Sequence, residues 1–263
     1  MPEQPQDLTV TLLQTELIWE DPVANCSTFT QKLRELKEPA DLIILPEMFT
    51  TGFTMNAAAQ AEKPHGFTYN WLLQMASEKN AAITGSIIVQ EKGEYFNRLL
   101  WAQPDGRILH YDKKHLFRMA RENAIYSAGK SKLVVTWRGW RICPLVCYDL
   151  RFPVWSRQQP ENPYDLLIYV ANWPEKRAAA WKTLLAARAI ENLSYCIGVN
   201  RVGTDGAGIP YAGHSAICQP QGESFFLPEN LELMHTQTLN YSNLNNFRER
   251  FPAHLDADPF QLL

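Results

Sequence analysis

The chain has 263 residues, 46% of them hydrophobic and 20% charged, which suits one large α/β domain or two small ones. Its formal net charge of -3 provides no basic surface for nucleic acid or an acidic membrane. No apolar run approaches the roughly 20 residues that a membrane-spanning helix needs, and the polar start MPEQPQDL lacks the features of a secretory signal. We therefore expect no nucleic acid and no membrane as partner.

The cysteines and histidines indicate the compartment and the absence of a metal. Five cysteines are scattered without a CxxC pair, which predicts reduced thiols in the cytoplasm rather than a disulfide framework. The six histidines have no HxxxH or similar spacing, so we expect no bound metal.

In the first half of the chain, hydrophobic patterning predicts strands that alternate with helices. Apolar residues alternate at 8–12, which indicates an opening strand, and Asp21-Pro22 provides an N-cap and a first helical position. A continuous apolar run at 41–45 indicates a buried strand. Beyond it, the pattern predicts a helix at 69–79 and strands at 82–89, 95–102 and 108–111, with turns at 91–94 and 104–107.

The second half continues the same mixture. Strands at 133–137 and 140–147 flank an Arg138-Gly139 turn, and the latter strand ends at Cys147. The pattern then predicts strands at 164–170 and 195–200, a long helix at 174–193, a glycine-rich loop at 203–208, a hairpin at 214–219 and 224–227, and a helix at 243–250.

Hairpins mixed with αβ crossovers indicate an α/β protein with mixed sheets. Two sheets face to face, with helices outside, would satisfy the burial pattern. The chain has no internal repeat, no low-complexity linker and no break in composition. We therefore predict a single domain over residues 1–263, with a C-terminal tail from about residue 241.

Cys147 is the first candidate for chemistry. It ends the apolar run RICPLVC and precedes YDLRFP, so a buried strand delivers a thiol to a sharp strand-to-helix turn. A free cysteine often only packs in a core. As a nucleophile it needs a neighbouring base or cation, because a thiol with a pKa near 8.5 is mostly protonated at neutral pH.

Two further residues at predicted strand ends could meet that need. Glu47, in LPEMFTTGF, is either a surface-loop carboxylate or a desolvated base among aromatic side chains. Lys113, in DKKHLF, belongs either to a solvated turn or to a site where its ammonium stabilises developing negative charge. Each is ambiguous alone, and the three motifs together indicate a catalytic site.

These motifs resemble the Glu-Lys-Cys arrangement of the carbon–nitrogen hydrolase (nitrilase) superfamily, in the same chain order. Further similarity lies in ARAIEN at 187–192, GVNRVG at 198–203 and GHSAI at 213–217, so the resemblance covers most of the chain. It implies an α-β-β-α sandwich, two mixed sheets face to face with helices outside, and no cofactor. It also implies a hydrolase of non-peptide amide C–N bonds that forms a thioester on cysteine.

The resemblance assigns roles to individual residues. The family pattern Lys-x-His-Leu selects Lys113 over Lys114 as the catalytic lysine, and Glu122 matches a second, supporting glutamate, although the segment before it is less acidic than usual. Glu47 would act as base and acid, and Cys147 as nucleophile. The backbone N–H of Tyr148 would join Lys113 in holding the oxyanion.

Within the superfamily, the segment Asn172-Trp173-Pro174 resembles the ω-amidase branch. Such enzymes hydrolyse the terminal amide of small carboxylate-bearing amides such as 2-oxoglutaramate. A substrate carboxylate needs a cation, and the candidates are Arg118, Arg121, Lys176 and Arg177. Trp173 is either a wall of the pocket or a core residue. Arg151 is expected to form a structural ion pair with Asp149.

Other functions remain open from the sequence. One class keeps the superfamily but changes the bond, as in an N-carbamoyl hydrolase, a nitrilase proper or an amidase for damaged metabolites. Another is a thiol-redox or binding protein in which Cys147 is regulatory, although this leaves Glu47 and Lys113 without a role. The resemblance also implies a homodimer or higher homo-oligomer.

Overall fold

The computed structural model describes residues 5–159, 161–258 and 260. The strands are β1 Leu8–Gln14, β2 Leu42–Ile44, β3 Ala82–Glu91, β4 Glu94–Ala102, β5 Ile108–Asp112, β6 Val135–Trp137, β7 Trp140–Val146, β8 Leu166–Ala171, β9 Tyr195–Asn200, β10 Val202–Thr204, β11 Pro210–Ala212, β12 Ala216–Cys218, β13 Ser224–Phe226 and β14 Leu233–Leu239. The helices are α1 Pro22–Glu35, α2 Ala57–Gln60, α3 Phe67–Lys79, α4 Glu122–Ile125, α5 Pro153–Ser156, α6 Ala178–Asn192 and α7 Tyr241–Arg250.

The strands form two six-stranded mixed sheets and one small ribbon. The first sheet has the order β14-β1-β2-β3-β4-β5 and the second has the order β13-β12-β9-β8-β7-β6, while β10 pairs with β11 alone. In each large sheet the central three strands are parallel and the outer ones are antiparallel. This confirms the predicted mixed sheets.

Alternation along the strands explains the layering. Leu8, Val10 and Leu12 of β1 point into the core between the two sheets. Leu13, the residue after Leu12, points the other way, into a second core under α1 and α3. On the far side, Trp181 and Leu185 of α6 join the core of the second sheet. The layers therefore run helix, sheet, sheet, helix, and the predicted α-β-β-α sandwich is confirmed.

The sequence did not predict β10, β11 or the short helices α2, α4 and α5, and two further differences are larger. β14 was not predicted, yet it pairs with β1 along its whole length, from Leu8 opposite Leu239 to Gln14 opposite Leu233. Its sequence LMHTQTL is half-exposed and polar, so it gives no apolar signal. The long helix begins at Ala178 rather than at 174, because Pro174 precedes a separate 3-10 turn, Glu175–Arg177.

The topology brings several strand ends to one edge. β5 runs in the same direction as the parallel strands β2 and β3, because two antiparallel pairings separate it from β3. Glu47 follows β2 and Lys113 follows β5, while Cys147 follows β7 of the other sheet. Within the described residues, none of the helices combines the length and apolar character that crossing a membrane requires.

Candidate active site

The nucleophile candidate lies at a strained turn. Cys147 follows β7 directly and begins a 3-10 turn, Cys147–Arg151. Its φ angle is +43°, in the left-handed region that a residue with a Cβ atom adopts at a cost. The turn carries the thiol out of the strand direction, where its Sγ lies 3.9 Å from the carbonyl oxygen of Asn172.

Glu47 is completely buried and its carboxylate is fully engaged. Oε1 accepts hydrogen bonds from Lys113 Nζ at 2.9 Å and Asn97 Nδ2 at 2.8 Å. Oε2 accepts one from the backbone N–H of Asn172 at 2.7 Å. These donors fix the carboxylate rigidly.

Lys113 bridges two carboxylates. Its Nζ donates to Glu47 and also lies 3.0 Å from both carboxylate oxygens of Glu122. Burial alone would lower the pKa of the ammonium, but the negative charges of Glu122 and Glu47 outweigh burial and raise it. Lys113 therefore stays charged at neutral pH. Glu122, which the sequence suggested as a supporting glutamate, is in contact with the amine.

The buried cluster of Glu47, Asn97, Lys113 and Glu122 is called the floor below. Glu122 also accepts a hydrogen bond from the backbone N–H of Phe117 at 2.5 Å. Burial, together with the charge of Glu47, raises the pKa of Glu122, although Lys113 opposes the shift. Two carboxylates thus share one ammonium in a group that is at most 1% exposed.

The Cys147 thiol is 8% exposed and belongs to the same electrostatic group. Burial raises the pKa of the thiol well above its ordinary value, and the charge of Glu47 raises it further, while Lys113 lowers it. The resting sulfur is therefore protonated, and a base must remove the proton as the sulfur attacks. Glu47 is the carboxylate in position to do so.

A cavity of about 420 Å³ opens above the thiol. Lys113, Cys147 and Asn172 lie in its lining together with the predicted oxyanion residue Tyr148. Much of the wall is aromatic, formed by Trp19, Phe53, Phe117, Tyr148, Trp173 and Tyr211. Trp173 is both a wall and a packed residue, since its ring also lies 5.4 Å from that of Trp181.

Besides Lys113, three cations lie in the cavity lining, Arg151, Lys176 and Arg177, and these three are called the mouth below. Arg118 and Arg121, which the sequence also suggested, do not line this cavity in the described structure. The predicted pairing of Arg151 with Asp149 is wrong: Asp149 is engaged by other donors, and the Arg151 guanidinium lies 4.9 Å from the centre of the Trp173 ring.

The mouth cations have no acidic partner in the part of the chain that the structure describes. Arg177 packs on the Phe117 ring at 5.3 Å and contacts the Met119 sulfur at 2.7 Å. These arginines are held by aromatic and thioether groups, which leaves their charge available to an anion.

Sequence reasoning missed the structural role of two asparagines. Asn97 holds Glu47, and also approaches Glu122 at 3.4 Å, from the middle of β4, where the sequence gives no signal. Asn172 binds Glu47 with its backbone N–H, and its side chain donates to the Glu47 carbonyl oxygen at 2.6 Å. Its position at the end of a buried strand, before Trp173-Pro174, was the available clue.

Among the described residues, no three histidine, cysteine or acidic side chains cluster as a metal site would require. The arrangement instead provides a base, a cation and a thiol around one cavity. This set can carry out nucleophilic attack on a carbonyl carbon and stabilise the resulting oxyanion.

Comparison with known families agrees with the fold and the site. The carbon-nitrogen hydrolase family model matches residues 9–239. The chain therefore belongs to the carbon–nitrogen hydrolase family, within the nitrilase superfamily, and is a hydrolase of amide C–N bonds. The family prediction from the Glu47, Lys113 and Cys147 motifs is confirmed.

Individual relatives place it more narrowly. The chain is 51% identical to the ω-amidase YafV of Yersinia enterocolitica, over 97% of this chain and 99% of that protein. It is 32% identical to the 2-oxoglutaramate amidase of Bacillus subtilis, over 81% and 83% of the two chains. A crystal structure of a CN-hydrolase superfamily protein of Xanthomonas campestris, with an arsenic adduct in its active site, superimposes with a TM-score of 0.95 at 46% identity, covering 98% and 99%.

Proposed function

We propose that this protein is an ω-amidase that hydrolyses the terminal amide of a small 2-oxo acid, such as 2-oxoglutaramate, to the dicarboxylate and ammonia. The observation that carries the proposal is that one cavity combines a floor whose ammonium is bonded to two carboxylates with a mouth whose cations have no acidic partner among the described residues. The names of the similar ω-amidase and 2-oxoglutaramate amidase support the same substrate class.

In this proposal the reaction begins with proton transfer. Glu47 accepts the Cys147 proton as Sγ attacks the amide carbon, because the raised pKa of the thiol leaves little free thiolate. The carbonyl oxygen becomes an oxyanion, held by the Lys113 ammonium and the backbone N–H of Tyr148. Asn97 and Asn172 hold the Glu47 carboxylate in place during the transfer.

The second half of the cycle releases both products. Glu47 returns the proton to the departing nitrogen, so ammonia leaves and an acyl thioester remains on Cys147. Glu47 then activates a water molecule that attacks the thioester, and the thiol is regenerated with the carboxylic acid. Glu122 holds the Lys113 ammonium in position in both steps, through its two 3.0 Å contacts.

Substrate recognition falls to the mouth. A substrate whose amide lies over Cys147 would direct its carboxylate away from the floor, where Arg151 and Arg177 can donate paired hydrogen bonds. Trp173 would flank the carbon chain. Of the residues suggested by the sequence, Arg177 and Trp173 keep this assignment, and Arg151 replaces Arg118.

The test is ammonia release from 2-oxoglutaramate, together with mass spectrometry of the acyl adduct on sulfur. A straight-chain primary amide without a carboxylate and an N-carbamoyl amino acid serve as comparison substrates. We expect 2-oxoglutaramate to give the highest kcat/KM and the adduct to map to Cys147. Equal rates on the uncharged amide would refute carboxylate recognition, and preference for the carbamoyl compound would place the enzyme in another branch.

We also propose that the protein forms a homo-oligomer in the cytoplasm. Ile190, on the α6 face away from the sheet, is 52% exposed, and Leu255 near the chain end is 75% exposed, so both offer apolar surface to a second copy. Sedimentation at several concentrations tests this, and a monomer at all of them would contradict it.

A further inference from the structure

A buried carboxylate that the reaction does not use lies two residues beyond the nucleophile. Asp149 has no exposed surface and is absent from the cavity lining. Its Oδ2 accepts hydrogen bonds from the Val146 backbone N–H at 3.1 Å and from the Tyr111 hydroxyl at 2.7 Å. Its Oδ1 accepts from the backbone N–H of His115 at 3.0 Å and lies 2.7 Å from His115 Nδ1.

These donors belong to both halves of the active site. Val146 is the last residue of β7 and immediately precedes Cys147, in the second sheet. Tyr111 is in β5 of the first sheet, and His115 lies just beyond that strand, so the two flank Lys113 by two residues on either side. One carboxylate therefore ties the segment that carries the thiol to the segment that carries the amine.

The surrounding contacts make this tie rigid. The Tyr111 hydroxyl also accepts hydrogen bonds from Trp155 Nε1 at 3.0 Å and from the Lys114 backbone N–H at 3.2 Å. The His115 ring is stacked on Phe152, with centroids 3.7 Å apart and planes within 7° of parallel. Both side chains that bond Asp149, Tyr111 and His115, are thus held in place by further contacts.

The contacts of Asp149 can stabilise the turn at Cys147 and keep the thiol and the ammonium at a fixed separation. Cys147 occupies a left-handed conformation that costs energy, so its turn needs external contacts to persist. Nucleophile and oxyanion donor must also keep their separation within about half an ångström for efficient catalysis. The two come from different sheets, and Asp149 bonds to both segments.

We propose that Asp149, acting through Tyr111 and His115, is a positioning residue that sets the placement of the Cys147 thiol relative to the Lys113 ammonium. The inference deepens the proposed amidase mechanism and rests on it. Asp149 touches no substrate, so loosening its contacts should lower kcat and leave KM nearly unchanged.

The first test compares two buried tyrosines. Tyr111→Phe removes one hydrogen bond to Asp149. Tyr169→Phe is the matched control, because Tyr169 is also fully buried on a strand and, among the described residues, its hydroxyl bonds Ser156 alone, at 2.6 Å. We expect Tyr111→Phe to lower kcat about tenfold or more, with KM within about twofold, and Tyr169→Phe to retain kcat. Equal kcat in the two variants would overturn the proposal.

The second test uses His115, which is partly exposed and therefore a milder site for substitution. His115→Phe keeps an aromatic ring for stacking on Phe152 but removes the Nδ1 donor. His115→Asn loses the stacking but places an amide N–H near the position of Nδ1. If positioning is correct, His115→Asn retains more kcat than His115→Phe. The reverse order would mean that stacking, not the bond to Asp149, matters.

A readout without substrate separates this proposal from the proposed function. The charge of Lys113 lowers the pKa of the Cys147 thiol, so displacement of the amine reduces the thiolate fraction. Alkylation of Cys147 by iodoacetamide should therefore be several times slower in Tyr111→Phe than in Tyr169→Phe. An unchanged alkylation rate would overturn the positioning role, whether or not the wild-type protein hydrolyses 2-oxoglutaramate.

Discussion

The floor and the mouth of the cavity differ in burial and in the pairing of their charges. In the floor, Glu47, Lys113 and Glu122 are at most 1% exposed and share hydrogen bonds of about the ordinary length. In the mouth, Arg151 and Lys176 are exposed and Arg177 is partly so, and none has a carboxylate partner among the described residues. The floor's ammonium is already bonded to two carboxylates, whereas the charges of the mouth are available to a ligand. The difference assigns chemistry to the first region and recognition to the second.

The largest expected effect comes from Cys147, the nucleophile that lies between the floor and the substrate. Cys147→Ala should abolish turnover, because no thioester can form without the sulfur. Far-ultraviolet circular dichroism and a cooperative unfolding transition should remain as in the wild type. Turnover by this variant at the wild-type rate would show that Cys147 is not the nucleophile.

The second effect tests whether the floor is coupled electrostatically. Lys113→Ala should lose activity and about 3–5 kcal/mol of unfolding free energy, because it leaves buried carboxylates without their cation. Adding Glu122→Gln removes one of the stranded charges. The double variant should therefore regain part of the stability lost in urea unfolding and none of the activity. If it regains no stability, the two carboxylates are not coupled through Lys113.

The third effect isolates the mouth. Arg177→Met keeps an apolar stem against Phe117 but removes the charge, and should raise KM for 2-oxoglutaramate about tenfold or more. Steady-state kinetics with an uncharged primary amide should change little. Arg118→Met is the matched control, since Arg118 is an exposed arginine outside the lining. A similar rise in KM for both variants would point to general surface charge instead.

The smallest effect concerns alkaline pH. Burial, and then the charge of Glu47, raise the pKa of Cys147 above its ordinary 9.0, so the folded protein holds this proton where the unfolded chain releases it. This contribution to stability is complete below about pH 9 and is lost as the pH rises further. The unfolding free energy of Cys147→Ala should then fall less steeply above that pH, by up to about 1.4 kcal/mol per unit. Arg177→Met should keep the wild-type slope, and a shared slope in all three proteins would contradict the assignment.

The sequence predicted the parts of the molecule that carry local signals. The strands leading to Glu47 and Cys147 are buried apolar runs, and β5, which leads to Lys113, follows a clear turn signal at 104–107, so these strands and their ends could be inferred. The β14 strand could not, because its stability comes from pairing with β1 and from cross-strand contacts such as Thr11 to Thr236 at 2.9 Å. These contacts join residues more than two hundred positions apart.

The same distinction applies within the site. The catalytic candidates lie in recognisable motifs, whereas Asn97 acts through a side chain in the middle of a strand that otherwise resembles its neighbours. The sequence suggested Arg118 for the substrate and Arg151 for an ion pair with Asp149, because it gives no signal for which guanidinium faces the cavity. Only the tertiary packing of the 3-10 turn at Cys147–Arg151 against Trp173 decides it.

The pairing of β14 with β1 has a consequence for biosynthesis. β1 must wait for residues 233–239, which are made more than two hundred residues later, before its outer backbone groups are covered. A nascent or prematurely terminated chain therefore presents an uncovered strand edge, a template for pairing with other chains. Chaperone dependence during translation should consequently decrease once this last strand has emerged.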